Sequence, residues 1–263
     1  MLSTILSKMK TEYSPASPVT YRILSKSNPS DFLSLNDHLG KKLKIEFKGE
    51  ILCIECGRKT KKSYSQGHCF VCSRDLARND MCSVRPELCH YSKGTCREPE
   101  WGVANCMIPH TLYLANSSGL KVGITRAHHR MTRWIDQGAV EAIPVVNLND
   151  RFSIGVLETK LKANFADKTN WRNMLKGETP PIDLLGERKR LATLLTGDEI
   201  VLGDEAIRIE YPVLEHPKKI VSLNLEKTPL IEGTLQGIKG QYLIFETGVI
   251  NIRSFSGYSV EIS

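Results

Sequence analysis

The chain lacks any apolar run near the roughly 20 residues that a helix needs to cross a bilayer. Its opening stretch, MLSTILSKMKTEYSPASPVTYR, has neither the continuous apolar core nor the cleavage site of a secretory signal. The expectation is a soluble cytoplasmic protein without a membrane partner, in which thiols stay reduced. No internal repeat is present, which excludes a solenoid, and there is no long low-complexity tract. Residues 53–110 have no long hydrophobic run. A segment of that kind cannot build a large core, so something other than apolar burial has to staple it. Acidic residues are also in short supply, with 29 Asp+Glu against 36 Lys+Arg. The excess of cations is local. Residues 1–140 hold 21 Lys+Arg against 12 Asp+Glu, and residues 141–263 hold 15 against 17. A basic first half points toward a polyanionic partner such as nucleic acid, DNA or RNA.

What the chain does have is cysteine, eight in all. Four of them read Cys53-Ile54-Glu55-Cys56, twelve intervening residues, then Cys69-Phe70-Val71-Cys72. Two C-x-x-C knuckles at that separation suit one tetrahedral zinc ion. The spacer, GRKTKKSYSQGH, is polar, basic and turn-rich, as a connecting loop would be. Four thiolates close the coordination sphere, so this zinc is expected to be structural, with His68 surplus beside it. The other four, Cys82, Cys89, Cys96 and Cys106, are less regularly spaced. In a reduced compartment they favour a second zinc, in which His90 or His110 can replace one cysteine. An iron–sulfur cluster is the lesser alternative. The cofactor expectation is therefore one or two structural zinc ions.

The order of parts gives an α+β protein. Residues 1–40 are an N-terminal segment whose first 20 residues, rich in Ser, Pro and Lys, read as loose. Residues 41–110 read as a zinc-ribbon-like module opened by a strand, KKLKIEFKGEIL at 41–52, where charge and bulk alternate. Residues 111–125 read as a β-hairpin around Asn116-Ser117-Ser118-Gly119. A helix follows, with Met131, Trp134 and Ile135 on one face and Gly138 as its stop. Then come a strand, AIPVVNL, and a second helix, RFSIGVLETKLKANF, with Asp150 as its cap. The connector DKTNWRNMLKGETPP completes a mixed α/β domain at 111–181. Trp134 and Trp171 read as core. Residues 182–197 read as helix, and the glycine-punctuated strands AIRIEYPVL, KKIVSLNL, LIEGTLQGIKG, QYLIFET, GVINIR and SGYSVEIS complete a 182–263 domain with a small β-barrel.

The hairpin and the helix after it resemble the GIY-YIG endonuclease superfamily. Thr111-Leu112-Tyr113 falls where the first motif stands, and Lys121-Val122-Gly123-Ile124-Thr125 where the second stands. Arg130-Met131-x-x-Trp134 is similar to the arginine-bearing turn, and Glu158 lies on the later helix. The resemblance implies phosphodiester hydrolysis. Glu158 would hold one Mg²⁺ or Mn²⁺, Arg130 would neutralise charge on the phosphoryl oxygens, and Tyr113 would position the attacking water. It also implies that Tyr113, Arg130 and Glu158 meet on one open face. Two positions depart from the pattern: Thr111 replaces a glycine, and Lys121 replaces the second tyrosine. Arg126 and Arg133 are further candidates for contact with nucleic acid.

Over roughly residues 40–262 the chain is similar to a bacterial domain family of unknown function (DUF2797-like). PELCHYSKGTCREPEWG, CMIPHTLYLANSSGLKVGITR, TRWIDQGA, DKTNWRNML and GIKGQYLIFETGVINIR carry this likeness. That resemblance implies no activity. Three functions follow as expectations: a zinc-stabilised nucleic-acid-binding protein, an active Mg²⁺-dependent nuclease, or a protein-interaction scaffold.

Overall fold

The computed structural model describes residues 1–26, 28, 30–165, 169–195, 200–201 and 205–263. The chain opens with four strands, β1 (Leu2–Ile5), β2 (Lys10–Ser14), β3 (Ser17–Leu24) and β4 (Phe32–Ser34). The long β5 (Lys42–Leu52), the short β6 (Lys59–Thr60) and helix α1 (Phe70–Asp75) follow. The middle of the chain carries α2 (Pro99–Asn105), β7 (His110–Asn116), β8 (Leu120–Arg126), α3 (Arg130–Asp136) and β9 (Glu141–Leu148). Next come α4 (Arg151–Leu161), α5 (Trp171–Leu175), α6 (Leu184–Ala192), β10 (Ile200–Val201) and β11 (Ile207–Arg208). The last strands are β12 (Leu230–Lys239), β13 (Tyr242–Phe245), β14 (Gly248–Asn251) and β15 (Tyr258–Ile262).

By its contacts the chain divides into two units, residues 1–74 with 210–263, and residues 75–209. The first unit is assembled from both ends of the chain by long-range strand pairing, which local patterns do not reveal. Among the described residues, the main sheet of the first unit runs β1-β15-β5-β12-β13-β14, with β6 added to β5. Leu2 lies opposite Ile262, and Ile45 lies opposite both Ile231 and Ile262. The alternation in β5 buries Leu43 and Ile45 and leaves Lys42 exposed.

Two expectations are corrected here. The first 20 residues are not loose: β1 pairs with β15, β2 pairs with β3, and Leu6, Met9 and Val19 are buried. Gln241 fixes the loop between β1 and β2, accepting from the Met9 amide at 2.8 Å. The C-terminal strands form no closed barrel of their own. The ladder is open, and it borrows β1 and β5 from the other end of the chain. Two of the strands expected there are also shorter. AIRIEYPVL supplies only Ile207–Arg208 and a single bridge from Val213 to Gly237. KKIVSLNL supplies a single bridge from Ser222 to Val249.

The second unit follows its local sequence closely. The hairpin of β7 and β8 pairs Tyr113 with Gly123, and β9 joins the other edge of β7. Gly138 takes a φ of +66° just past α3, and the Asp150 carboxylate caps α4 by accepting from the Ser153 amide at 2.8 Å. One sheet face carries Leu112, Leu114, Val122 and Ile143. It packs against Ile154, Leu157 and Leu161 of α4 and Leu184 and Leu191 of α6. Trp134 is buried as expected, and α5 begins at Trp171, which is partly exposed. Residues 167 and 168 of the DKTNW stretch, and 196 and 197 of the expected helix, lie outside the described residues.

Candidate metal centre

β5 delivers Cys53 directly, because the strand ends one residue before it. The chain then reverses. Gly57, at φ +71°, donates to the Cys53 carbonyl at 2.9 Å, and Cys53 donates to the Arg58 carbonyl at 2.8 Å. β6 returns along β5, with Ile51 opposite Thr60. The second knuckle is set by Gly67, at φ +103°, whose carbonyl accepts from the Ile54 amide at 2.9 Å. A side chain at Gly67 would meet Ile54 at 2.8 Å and Ser256 at 3.0 Å, so only glycine lets the two knuckles close. Cys69 precedes α1, where its carbonyl accepts from the Ser73 amide at 2.8 Å, and α1 carries Cys72.

These two turns bring the sulfurs of Cys53, Cys56, Cys69 and Cys72 all within 4.8 Å of one another. Burial raises the Cys53 thiol, but N–H groups of Cys56, Cys69 and Glu55 reach its sulfur and pull it down to about 6. Burial and the neighbouring sulfurs push Cys72 up to about 12. Four cysteine sulfurs this close can share one cation. An all-sulfur, closed, four-donor set fits a structural zinc. His68 is buried, and its Nδ1 bonds the Ser65 carbonyl at 2.6 Å, which places it outside the sulfur set.

The second group of cysteines does not gather in the same way. Among the described residues, the other set of donors close enough to share an ion is Asp80, Cys82 and His90. Cys89 and Cys106 lie within electrostatic reach of Cys82 but outside that set. Cys106 is buried after the C-terminus of α2, and the Cys96 thiol faces the Glu98 carbonyl at 3.5 Å. Burial, then the charge of Asp80, pushes Cys82 up to about 11. His110 is buried, its Nδ1 bonded to the Ile108 carbonyl, and burial lowers it to about 4.

The GIY-YIG-like residues are placed as follows. Tyr113 is fully buried, and its hydroxyl accepts from Gln137 Nε2 at 2.6 Å while its ring meets Trp134 edge-on. Gly123 makes room for it, since a Cβ there would stand 2.6 Å from the phenol oxygen. Residues alternate across β7, so Tyr113 lies on the face opposite Leu112 and Leu114. The latter face is the one that packs on α4, which carries Glu158. Tyr113 and Glu158 therefore do not share an open face, against the expectation. Glu158 is nearly buried and ion-pairs with Lys162 at 3.5 Å. It belongs to no group of metal donors among the described residues, so Mg²⁺ or Mn²⁺ has no support there.

Lys121 is buried and donates to Thr169 Oγ1 at 3.2 Å. Arg130 borders a cavity of about 510 Å³ floored by Met131, Trp134 and Pro144. Arg126 donates to the Asn105 carbonyl at 2.9 Å and lies over the Trp101 ring, so it is committed within the fold. Arg133 is exposed on α3.

An exposed aromatic pair that the sequence does not announce stands beside the four cysteines. Tyr64, Phe70 and Ile54 are 45%, 56% and 41% exposed around the thiolates. Tyr64 and Phe70 meet edge-on at 5.5 Å, and Lys62 Nζ lies 4.8 Å from the Tyr64 ring centre. Arg58, Lys61 and Lys62 are exposed on the same loop. The available signal was an aromatic residue inside the basic spacer and another next to the third cysteine. It becomes meaningful only once the metal knuckles bring residues 64 and 70 together.

Searches of curated proteins and of solved structures found no match to this chain. A family model described as a protein of unknown function matches residues 40–260. That span covers most of the 263 residues, and the chain belongs to this family of unknown function, DUF2797.

Proposed function

We propose that this is a zinc-stabilised, cytoplasmic nucleic-acid-binding protein, and that its zinc lobe grips single-stranded nucleic acid. The observation that carries this reading is the exposed Tyr64–Phe70 pair with Lys62 over the Tyr64 ring, set on a basic loop. A soluble protein gains nothing by exposing two aromatic rings side by side unless something covers them. Single strands offer unpaired base faces to stack on rings, and phosphates to meet lysines. Residues 54–74 hold five cations, Arg58, Lys59, Lys61, Lys62 and Arg74, against Glu55. Four thiolates with Zn²⁺ add a formal charge of −2, which these cations exceed. A cavity of about 570 Å³ lined by Phe47, Gly49, Ile51, Lys59, Thr60, Lys61 and Glu226 lies along β5 and β6, with two lysines against one carboxylate.

We also propose a GIY-YIG-like fold for residues 110–161, on its ββαβα order. Cutting by this part has no comparable support, because Tyr113 is buried on the face away from the Glu158 helix.

The test is binding of labelled single-stranded RNA, single-stranded DNA and duplex DNA to the whole zinc-loaded protein. Single strands should bind in preference to duplex, with affinity falling steeply as salt rises. Tyr64→Ala and Phe70→Ala should each weaken binding by about 5- to 150-fold, the range for one stacked base. Equal binding by both variants and wild type would refute the assignment. No binding to any nucleic acid would leave the protein-interaction scaffold as the better reading.

A further inference from the structure

The stretch from Asp75 to Cys106 is built almost without a core. Among its described residues only Ala77 and Cys106 appear among the buried hydrophobics, while Met81, Val84, Leu88 and Val103 are 44–79% exposed. Its backbone is a series of short 3₁₀ turns, at Ala77–Asn79, Met81–Ser83, Pro86–Leu88 and Tyr91–Lys93, before α2. Apolar burial cannot hold such a stretch in one shape, and a bound ion can.

Three donors converge inside it. Asp80 and Cys82 flank the start of one 3₁₀ turn, and His90 precedes another, with their ligand atoms within 4.8 Å of one another. Two of them are also held by residues outside the trio. Asp80 Oδ2 takes Arg97 Nε at 2.6 Å, and His90 Nδ1 meets Thr95 Oγ1 at 2.8 Å. The Thr95 hydroxyl also lies 3.4 Å from the His90 carbonyl, so Thr95 holds the Nδ1 edge of the ring. Nε2 stands 3.5 Å from Asp80 Oδ2. The ligand atoms of Asp80, Cys82 and His90 are close enough for one cation to bridge all three. Hydrogen bonds from neighbouring residues to an imidazole and a carboxylate are what orient metal ligands.

We propose that Asp80, Cys82 and His90 form a second zinc centre, distinct from the four-thiolate site. A thiolate, an imidazole and a carboxylate together suit Zn²⁺ better than a hard ion such as Mg²⁺. Three protein donors leave one of zinc's four positions to water. That composition belongs to zinc sites that can activate a water molecule, whereas the four-thiolate site is closed. The side chains of Asp80 and His90 keep 13% and 27% of their exposure, so water reaches the centre.

Zinc content of the purified whole protein tests this. Wild type should carry two zinc ions per chain, and Asp80→Asn, His90→Gln and Cys82→Ser should each carry one. Cys56→Ser should also lose one, from the other site. In Co²⁺-substituted protein, His90→Gln should leave only the spectrum of a four-thiolate centre. His90→Gln and Asp80→Asn change side chains that are not part of a core, which separates ligand loss from misfolding. One zinc per wild-type chain would overturn the proposal, with Asp80 and His90 then forming a plain ion pair. So would a second zinc that survives Asp80→Asn and His90→Gln but is lost in Cys89→Ser or Cys106→Ser.

Discussion

Residues 53–72 and 82–106 each carry four cysteines, yet only the first four gather within 4.8 Å of one another. In the first stretch each C-x-x-C knuckle is supported from outside itself. Cys53 is the continuation of β5, and Gly67 fits between Ile54 and Ser256. In the second stretch the spacings of six, six and nine residues hand the cysteines to separate turns. Cys82 turns to Asp80 and His90, Cys96 faces a backbone carbonyl, and Cys106 follows α2. Cysteine count alone does not make a metal site. What makes one is a pair of tight turns that a neighbouring strand holds in register.

The largest test of this contrast is metal removal. Chelation, or Cys56→Ser, should cost the first lobe on the order of 10 kcal/mol of metal-linked folding energy. Limited proteolysis should then cut within residues 54–68, whereas Cys96→Ser should leave that digestion pattern unchanged.

A second test separates the two units by pH. Lys239 lies in the first unit at 3% exposure, and burial lowers its amine to about 8. The unfolded chain therefore holds more protons than the folded one above pH 8, so stability rises with pH there. Burial and Glu226 raise the Tyr258 phenol, which works in the opposite direction only above its ordinary value of 10.0. Between pH 8 and 10 denaturant unfolding of the first unit should gain up to about 1.4 kcal/mol per pH unit. Lys239→Met should flatten that slope. A slope unchanged by the substitution would refute the assignment.

The third test loosens only the second stretch. A Cβ at Gly155 of α4 would stand 2.4 Å from Pro86 and 3.0 Å from the Glu87 amide nitrogen. Gly155→Ala should destabilise the second unit by about 1–3 kcal/mol through overpacking. Hydrogen exchange should quicken around residues 83–88, with the thiolate lobe unaffected. The smallest effect is expected for Asp150→Ala, which removes the bonds from Ser153 N and Oγ at the start of α4. It should cost about 1 kcal/mol by thermal unfolding, the usual value of a lost cap.

Much of the second unit was legible because its contacts are local. The β7–β8 hairpin, the stop at Gly138 and the cap at Asp150 each depend on residues a few positions apart, and the sequence marks each one. The first unit was read less well because its contacts are distant. Nothing near Leu2 says that it will lie opposite Ile262, and nothing in residues 230–262 says that they need β5 to complete their sheet. The candidate site divides in the same way. Cys53, Cys56, Cys69 and Cys72 announce themselves by spacing, and the Tyr64–Phe70 pair does not.

The sequence by itself marked Cys53, Cys56, Cys69 and Cys72 as one candidate metal set, because a knuckle of two cysteines three apart can place two sulfurs on one ion. It also determined the alternation that puts Tyr113 and Leu112 on opposite sides of a strand. Only the tertiary structure decided which side faces the Glu158 helix, and so kept Tyr113 and Glu158 apart. It likewise decided that Asp80 and His90 bring ligand atoms within 4.8 Å of Cys82, with Cys89 and Cys106 in electrostatic reach outside that set. Both decisions depend on how separate turns and helices pack, and packing is set by the whole chain rather than by any one stretch of it.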